Sequence, residues 1–259
     1  MPKESFLILR PLNGVFLCCF GLFIALLVIS SLILRNKSEK TRRIVLATAC
    51  LVTVVGFFVY KYFLSIDAEY RIANAAMGGF NWWSEFPLHL CNINMIIIPI
   101  AVWRKNRPLM SFSFFLGPLG ALMALLMPSA GFAGYSILMP RMIGFYFTHF
   151  MVFVEGIALA AYGLYRPSFK DLPKTLLTIL IVDFVIFLIN FGLRTSGLCP
   201  KANYFFNMET EGNPVLSIFY NLIPYPFLYQ IPLLLVIGAY SSVVMLGFKL
   251  AGKKQKADK

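Results

Sequence analysis

Long uninterrupted apolar runs alternate with short polar segments along most of the chain. A helix that crosses a hydrocarbon layer of about 30 Å needs about 20 mostly apolar residues, because each residue adds about 1.5 Å. The runs predict seven spans: Leu12–Leu34, Ile44–Leu64, Phe86–Trp103, Phe112–Met127, Met142–Tyr165, Thr175–Leu193 and Phe227–Phe248. We therefore expect an all-α, polytopic membrane helical bundle that forms one integral membrane domain over residues 1–259.

The third and fourth predicted spans are shorter than the others. They contain three prolines, Pro87, Pro99 and Pro118. Proline removes a backbone donor and kinks a helix, so we expect both spans to be bent. The two longest loops cover residues 66–84 and 194–226, and the second predicts an interfacial helix at Val215–Leu222.

The composition supports a membrane environment. Hydrophobic residues make up 59% of the chain and charged residues 13%, and the mean hydropathy is +0.77. A soluble domain is about 45–50% apolar and about 25% charged, so this chain lacks the polar surface that a water-soluble globule requires. An outer-membrane barrel is disfavoured, because its strands alternate apolar and polar residues.

The formal net charge of +12 is distributed over short loops, which excludes a nucleic-acid interface built on one basic patch. Sixteen of the 23 lysines and arginines lie after the first, third, fifth and seventh spans, and seven lie on the other side. The positive-inside rule then predicts an outer N-terminus, an inner C-terminus and a basic cytoplasmic tail at 250–259. We expect the protein in the cell (plasma) membrane, with membrane lipids as its partners.

The cysteine positions do not indicate a disulfide framework, since four of the five cysteines lie in apolar runs. The first apolar run has 23 residues and no small-residue cleavage site follows it, so we expect no cleavable signal peptide.

Ionisable side chains inside predicted spans are the candidate functional groups, because they are costly at membrane depth. Both histidines lie in spans, His89 roughly 8 Å and His149 roughly 12 Å below the outer end of their helices. The other candidates are Glu85, Cys91, Glu155, Asp183 and Asn190. We expect these groups to converge on one polar cavity near the outer face.

The densest polar stretch is residues 82–92, which begins with two tryptophans suited to the membrane interface. On a regular helix, Glu85 and His89 share a face and Asn92 extends it. Cys91 lies roughly 200° around the helix from His89, so His149 is the more plausible base for it. We predict a catalytic Cys91 with His149 as its base, and His89, oriented by Glu85, in support.

A thiol and an imidazole that act together must lie within hydrogen-bonding reach, about 3–4 Å. Such a pair, placed where the ester bond of a phospholipid sits, predicts an acyltransferase or a lipase that forms a thioester.

Simpler interpretations of the same residues stay open. A cysteine in a membrane helix is often a small packing residue, and buried His, Glu, Asp and Asn side chains often form interhelical hydrogen bonds. His89, Cys91, His149 and Asp183 are also possible zinc ligands, although His-x-Cys is not a standard ligand pair. We predict no metal and no cofactor.

A resemblance supports the enzymatic interpretation. The motif Pro87–Cys91 resembles the YwaF-like family of bacterial integral membrane proteins, which is similar to a eukaryotic transmembrane phospholipid acyltransferase family. The resemblance covers about residues 80–235. Its other matching segments are 117–124 with 127–128, 145–150, Asn190, Asn203 with 204–206, and 224–227.

The resemblance implies a helical membrane fold. It also implies that Cys91 takes up an acyl group as a thioester while His149 assists. A transporter or permease subunit is the alternative, since prolines inside spans can mark broken helices at a binding site. A non-catalytic membrane assembly partner is the third possibility.

Overall fold

The computed structural model describes residues 7–73, 75, 79–128 and 130–257. Within these ranges the chain forms nine α-helices: α1 (Gly14–Leu34), α2 (Glu39–Ile66), α3 (Ala68–Ala73), α4 (Asn94–Trp103), α5 (Arg107–Leu126), α6 (Pro140–Ala161), α7 (Leu172–Thr195), α8 (Pro214–Leu222) and α9 (Leu233–Ala257). Two short strands, β1 (Ile8–Leu9) and β2 (Tyr135–Ser136), pair antiparallel with Ile8 opposite Ser136. The all-α polytopic membrane bundle that the sequence predicts is confirmed.

The helix starts follow from the polar residues between the apolar runs. Asn13, Ser38, Asn106 and Asn213 precede α1, α2, α5 and α8, and each side-chain oxygen accepts a backbone N–H of the first turn. Such caps satisfy donors that have no partner inside the helix. The helix predicted at Val215–Leu222 is confirmed as α8, and its interfacial position stays a prediction.

Six of the described helices are long and apolar enough to cross a membrane. They correspond to six of the seven predicted spans. The third predicted span, Phe86–Trp103, is wrong as a continuous helix, because only its second half forms α4 and residues 82–93 form turns. Pro87 explains part of this difference, since proline has no backbone donor and disfavours a helical residue before it.

The chain nevertheless passes from one end of the bundle to the other over residues 85–103. Glu85 forms an ion pair with Lys61 near the C-terminal end of α2. The C-terminal end of α4 leads directly into α5, where Arg107 forms an ion pair with Asp171 at the start of α7. The irregular turns and α4 together therefore make a seventh crossing, and the predicted orientation of the termini stays a prediction.

Helix α6 is the centre of the bundle and packs against α5, α2, α1 and α4. Glycine permits its closest contacts: a Cβ added at Gly144 would lie 2.3 Å from Tyr60, and one at Gly156 would lie 2.5 Å from Pro118. Small residues at helix interfaces are the usual route to close packing in lipid, where no hydrophobic effect drives helices together. Helices α1 and α9 lie at the periphery and leave most of their apolar side chains exposed.

The cytoplasmic position of the basic tail predicted at 250–259 stays a prediction. Helix α9 continues through it to Ala257, and the last two residues lie outside the described residues.

Candidate functional site

Cys91 and His149 are in direct contact. The Cys91 sulfur lies 3.4 Å from Nε2 of His149, within the range of a sulfur hydrogen bond. Cys91 lies in the turn that precedes α4, and His149 lies in α6, so two different elements supply the pair. Both side chains are buried, with exposures of 8% and 6%. The predicted separation of about 3–4 Å is therefore met.

The backbone of α6 sets the proton position on His149. Nδ1 of His149 lies 2.7 Å from the carbonyl oxygen of Phe145. A carbonyl oxygen can only accept, so Nδ1 carries the hydrogen of the neutral imidazole. Nε2 then presents its lone pair to the Cys91 thiol, which is the arrangement that a general base requires.

The turn that contains Cys91 lies close to two glycines of α5. A Cβ added at Gly120 would lie 3.4 Å from the backbone nitrogen of Cys91, and one at Gly117 would lie 3.3 Å from Cγ of Asn94. Asn94 in turn donates from Nδ2 to the carbonyl oxygen of Leu90, at 2.7 Å. The turn around Cys91 is thus pressed against α5 and held by a local side-chain hydrogen bond.

Aromatic rings pack against one side of His149. The ring centroids of His149 and Phe145 are 4.3 Å apart, and Phe145 stacks on Phe132 at 4.5 Å. Within the described part of the chain, no carboxylate hydrogen-bonds to His149. The site is therefore a thiol–imidazole pair oriented by a backbone carbonyl, without an acidic third member.

His89 contacts aromatic rings and not the Glu85 carboxylate. Its ring lies edge to face against Tyr204, with centroids 5.0 Å apart, and 6.0 Å from Phe206. Glu85 instead forms an ion pair with Lys61 and accepts a hydrogen bond from the Tyr70 hydroxyl at 3.4 Å. The prediction that Glu85 orients His89 on a shared helix face is wrong, because neither residue lies in a helix.

Tyr204 fastens the irregular crossing segment to the loop after α7. Its hydroxyl donates to the carbonyl oxygen of Trp83 at 2.5 Å and accepts the N–H of Phe86 at 3.1 Å. Burial raises the pKa of this hydroxyl well above its usual range, so it is a permanent donor. Tyr204 therefore binds the backbone at the start of the irregular segment and packs against one face of the His89 ring.

Asp183 and Asn190 form hydrogen bonds with the loop after α7 and do not contact Cys91. Asn190 donates from Nδ2 to the carbonyl oxygen of Tyr204 at 2.8 Å and to Oδ1 of Asn207 at 2.7 Å, and it accepts the Tyr204 N–H at 3.0 Å. Asn207 donates from Nδ2 to Oδ1 of Asp183 at 3.2 Å. The expected convergence of polar groups therefore holds for Cys91 and His149 but not for this network.

The same loop holds an unusual backbone. Phe205 and Phe206 have φ values of 59° and 58°, in the left-handed region that favours glycine. Gln230 donates from Nε2 to the Phe205 carbonyl oxygen at 2.8 Å, and Asn203 donates to Oε1 of Glu211 at 2.7 Å. Strained residues persist where surrounding contacts over-determine them, often beside functional sites.

Two further polar groups lie in the interior. Asn92, next to the nucleophile candidate, is 7% exposed, and its Oδ1 is buried without a hydrogen-bond partner. Glu155 accepts a hydrogen bond from the Thr53 hydroxyl at 2.5 Å, which fits the packing interpretation of this carboxyl group. Among the described residues, no three His, Cys, Asp or Glu side chains lie close enough to hold a metal ion.

The sequence interpretation did not include Lys61 or Asn207. Lys61 had a usable signal, since it is an ionisable residue within the predicted second span. Asn207 had none, because it lies in a polar loop and only the tertiary structure brings it to Asp183 and Asn190.

Comparisons with known proteins extend this description. No curated protein and no solved structure matches the chain significantly. The TMEM164 family matches residues 9–243, a range that includes the first two spans, where the resemblance noted in the sequence was weak. The fold and this match together identify a multi-pass membrane protein. The chain belongs to the TMEM164 family.

Proposed function

We propose that this protein is a lipid acyltransferase or acyl hydrolase, with Cys91 as the nucleophile and His149 as the general base. One observation carries the proposal: the 3.4 Å contact between Sγ of Cys91 and Nε2 of His149. The Pro87–Cys91 motif also resembles the YwaF-like family, which is similar to a phospholipid acyltransferase family, and this resemblance supports the proposal.

The first step transfers the thiol proton of Cys91 to Nε2 of His149. The thiolate attacks the carbonyl carbon of a fatty ester and forms a tetrahedral intermediate. The carbon–oxygen bond of the ester then breaks, and the leaving alkoxide takes the proton back from Nε2. The acyl group remains on Cys91 as a thioester, and the imidazole is neutral again.

The second step releases the acyl group. His149 removes a proton from an acceptor hydroxyl or from water, whose oxygen attacks the thioester carbonyl. The carbon–sulfur bond breaks and the sulfur regains a proton from His149. A hydroxyl acceptor gives acyl transfer, and water gives hydrolysis.

Membrane lipids are the substrate class that suits this location. The pair lies inside the helical bundle, at the end of α2 that holds the Lys61–Glu85 ion pair. The positive-inside rule assigns this end to the outer leaflet.

Neighbouring groups have supporting roles in this proposal. The unpartnered Oδ1 of Asn92 provides an acceptor for a hydroxyl group beside the nucleophile. His89, packed against Tyr204, forms an aromatic wall near the pair and is not the base.

The test is acyl turnover on a phospholipid with a labelled acyl chain, using protein reconstituted into vesicles. Cys91→Ala removes the nucleophile, so we expect loss of turnover and of hydroxylamine-sensitive label on the protein. Cys18→Ala is the matched control, because Cys18 is an exposed cysteine on the peripheral helix α1. Unchanged turnover by the Cys91→Ala protein would refute the proposal.

A further inference from the structure

A cavity of about 330 Å³ lies at the other end of the bundle from Cys91. It is formed where α1 ends, α2 begins and α6 ends. Arg35, Arg42, Leu32 and Gly163 are among its lining residues. This end of the bundle carries the basic loops, which the positive-inside rule assigns to the cytoplasmic leaflet.

The lining carries positive charge without a counter-charge. Arg35 and Arg42 both line the cavity, and no acidic residue of the described chain does. The adjacent Arg43 has its own partner, Glu39, one helical turn earlier in α2. The two lining guanidinium groups therefore make the cavity attractive to an anion.

Arg42 has donors that the protein leaves unused. Its Nη1 donates to the carbonyl oxygen of Tyr162 at 2.6 Å, which fixes the side chain against the C-terminal end of α6. Its Nε is buried and has no hydrogen-bond partner. A guanidinium group has five N–H donors, and a buried donor without an acceptor is costly, so an external acceptor would stabilise it.

Gly163 keeps the guanidinium group in this position. Its φ is +67°, in the left-handed region, and an added Cβ would lie 3.0 Å from Nη1 of Arg42. A larger residue would strain the backbone and displace the arginine at the same time.

An apolar surface adjoins the charged lining. Leu32 lines the cavity and is 64% exposed, and Ile33 beside it is 63% exposed. The remaining length of α1 is also largely exposed to lipid. A ligand that fits has an anionic head for the arginines and hydrocarbon chains for the outer surface of α1.

We propose that this cavity binds the phosphate group of an anionic phospholipid, whose acyl chains lie along α1. Arginine is suited to this role, because its planar fork matches phosphate geometry and basic pockets between membrane helices commonly bind lipid headgroups. The site is independent of Cys91, so the proposal does not depend on the proposed acyl chemistry.

The test is native mass spectrometry of the full chain in detergent, titrated with phosphatidylglycerol or with phosphatidylcholine of the same acyl chains. We expect tighter binding of phosphatidylglycerol. Arg42→Gln should weaken this binding about fivefold, the effect of one basic side chain near an anionic lipid. Lys40→Gln is the matched control, because Lys40 is an exposed lysine in the first turn of the same helix, α2, and does not line the cavity.

Equal binding of the two lipids, or equal weakening by Arg42→Gln and Lys40→Gln, would overturn the proposal. Binding of inorganic phosphate as tightly as phosphatidylglycerol would assign the cavity to a free anion and contradict a lipid site. If the Arg42→Gln protein does not fold, Arg35→Gln decides, because Arg35 is exposed and lines the same cavity.

Discussion

At the scale of single residues, the proposed role of Cys91 depends on which imidazole nitrogen of His149 carries the proton. The Phe145 carbonyl oxygen holds the hydrogen on Nδ1, so Nε2 is free to accept from the thiol. A backbone carbonyl does here what a carboxylate does in a catalytic triad: it fixes the tautomer. The pairing needs no acidic residue, and this explains why Glu85 is available for Lys61.

His149→Gln tests this role directly. Glutamine is a polar side chain but cannot take up a proton, so we expect acyl turnover to fall about 10²–10⁴-fold, the usual contribution of general base catalysis. His89→Gln should reduce turnover less, because the His89 ring packs against Tyr204 and Phe206, and His149 is the imidazole that contacts the Cys91 sulfur. Comparable turnover by the His149→Gln protein and the unchanged protein would contradict the assignment.

At the scale of secondary structure elements, the broken third crossing is the main feature. Non-helical backbone at membrane depth is tolerated only where protein or water covers it. Here Tyr204 satisfies the Trp83 carbonyl oxygen and the Phe86 N–H, and Asn94 satisfies the Leu90 carbonyl oxygen. The break gives Cys91 a position that a continuous helix would not provide.

Tyr204→Phe tests how much this fastening contributes. The ring contact with His89 remains, but two backbone groups lose their partner, so we expect a destabilisation of about 1–3 kcal/mol. Thermal unfolding in detergent, followed by tryptophan fluorescence, measures it. Tyr225→Phe, at an exposed tyrosine, is the control, and equal stability of the two variants would show that the fastening contributes little.

The contact between α2 and α6 depends on Gly144 in a similar way. An alanine there would place its Cβ 2.3 Å from the Tyr60 side chain, so we expect a loss of about 1–3 kcal/mol from overpacking. Gly192→Ala in α7 is the matched control, because no atom lies within 4 Å of an added Cβ. Circular dichroism melting curves distinguish the two, and an unchanged melting temperature for Gly144→Ala would refute the expected clash.

At the scale of the whole molecule, the described chain makes seven passes along the bundle. Six crossings are long helices and the seventh combines turns with α4. The basic loops share one end of the bundle, and the Cys91–His149 pair is nearer the other. The proposed acyl chemistry and the proposed lipid cavity therefore lie toward opposite ends of the bundle.

Cysteine labelling in intact cells tests the orientation. Ser196 and Lys40 are exposed and lie at opposite ends of the bundle. We expect a membrane-impermeant maleimide to label Ser196→Cys from outside and Lys40→Cys only after permeabilisation, because basic loops stay in the cytoplasm. The reverse pattern would invert the topology and move the proposed site to the inner leaflet.

Sequence patterns alone determined that this protein lies in a membrane and where six of its long apolar helices lie. Both are local properties, since a run of about 20 apolar residues requires a lipid environment whatever surrounds it. Helix α8 also followed from a local signal, because Pro224 and Pro226 end its apolar run. The sequence also singled out Cys91 and His149, because ionisable and nucleophilic groups are conspicuous within apolar runs.

Only the tertiary structure decided which of these groups meet. Cys91 and His149 are 58 positions apart, and their contact depends on how closely α5 and α6 pack against the turn before α4. The sequence did not predict the break in the third span, because Tyr204, which is distant in sequence, supplies hydrogen bonds to its backbone groups. Side-chain partners depend on helix register and crossing, and apolar periodicity does not specify either one.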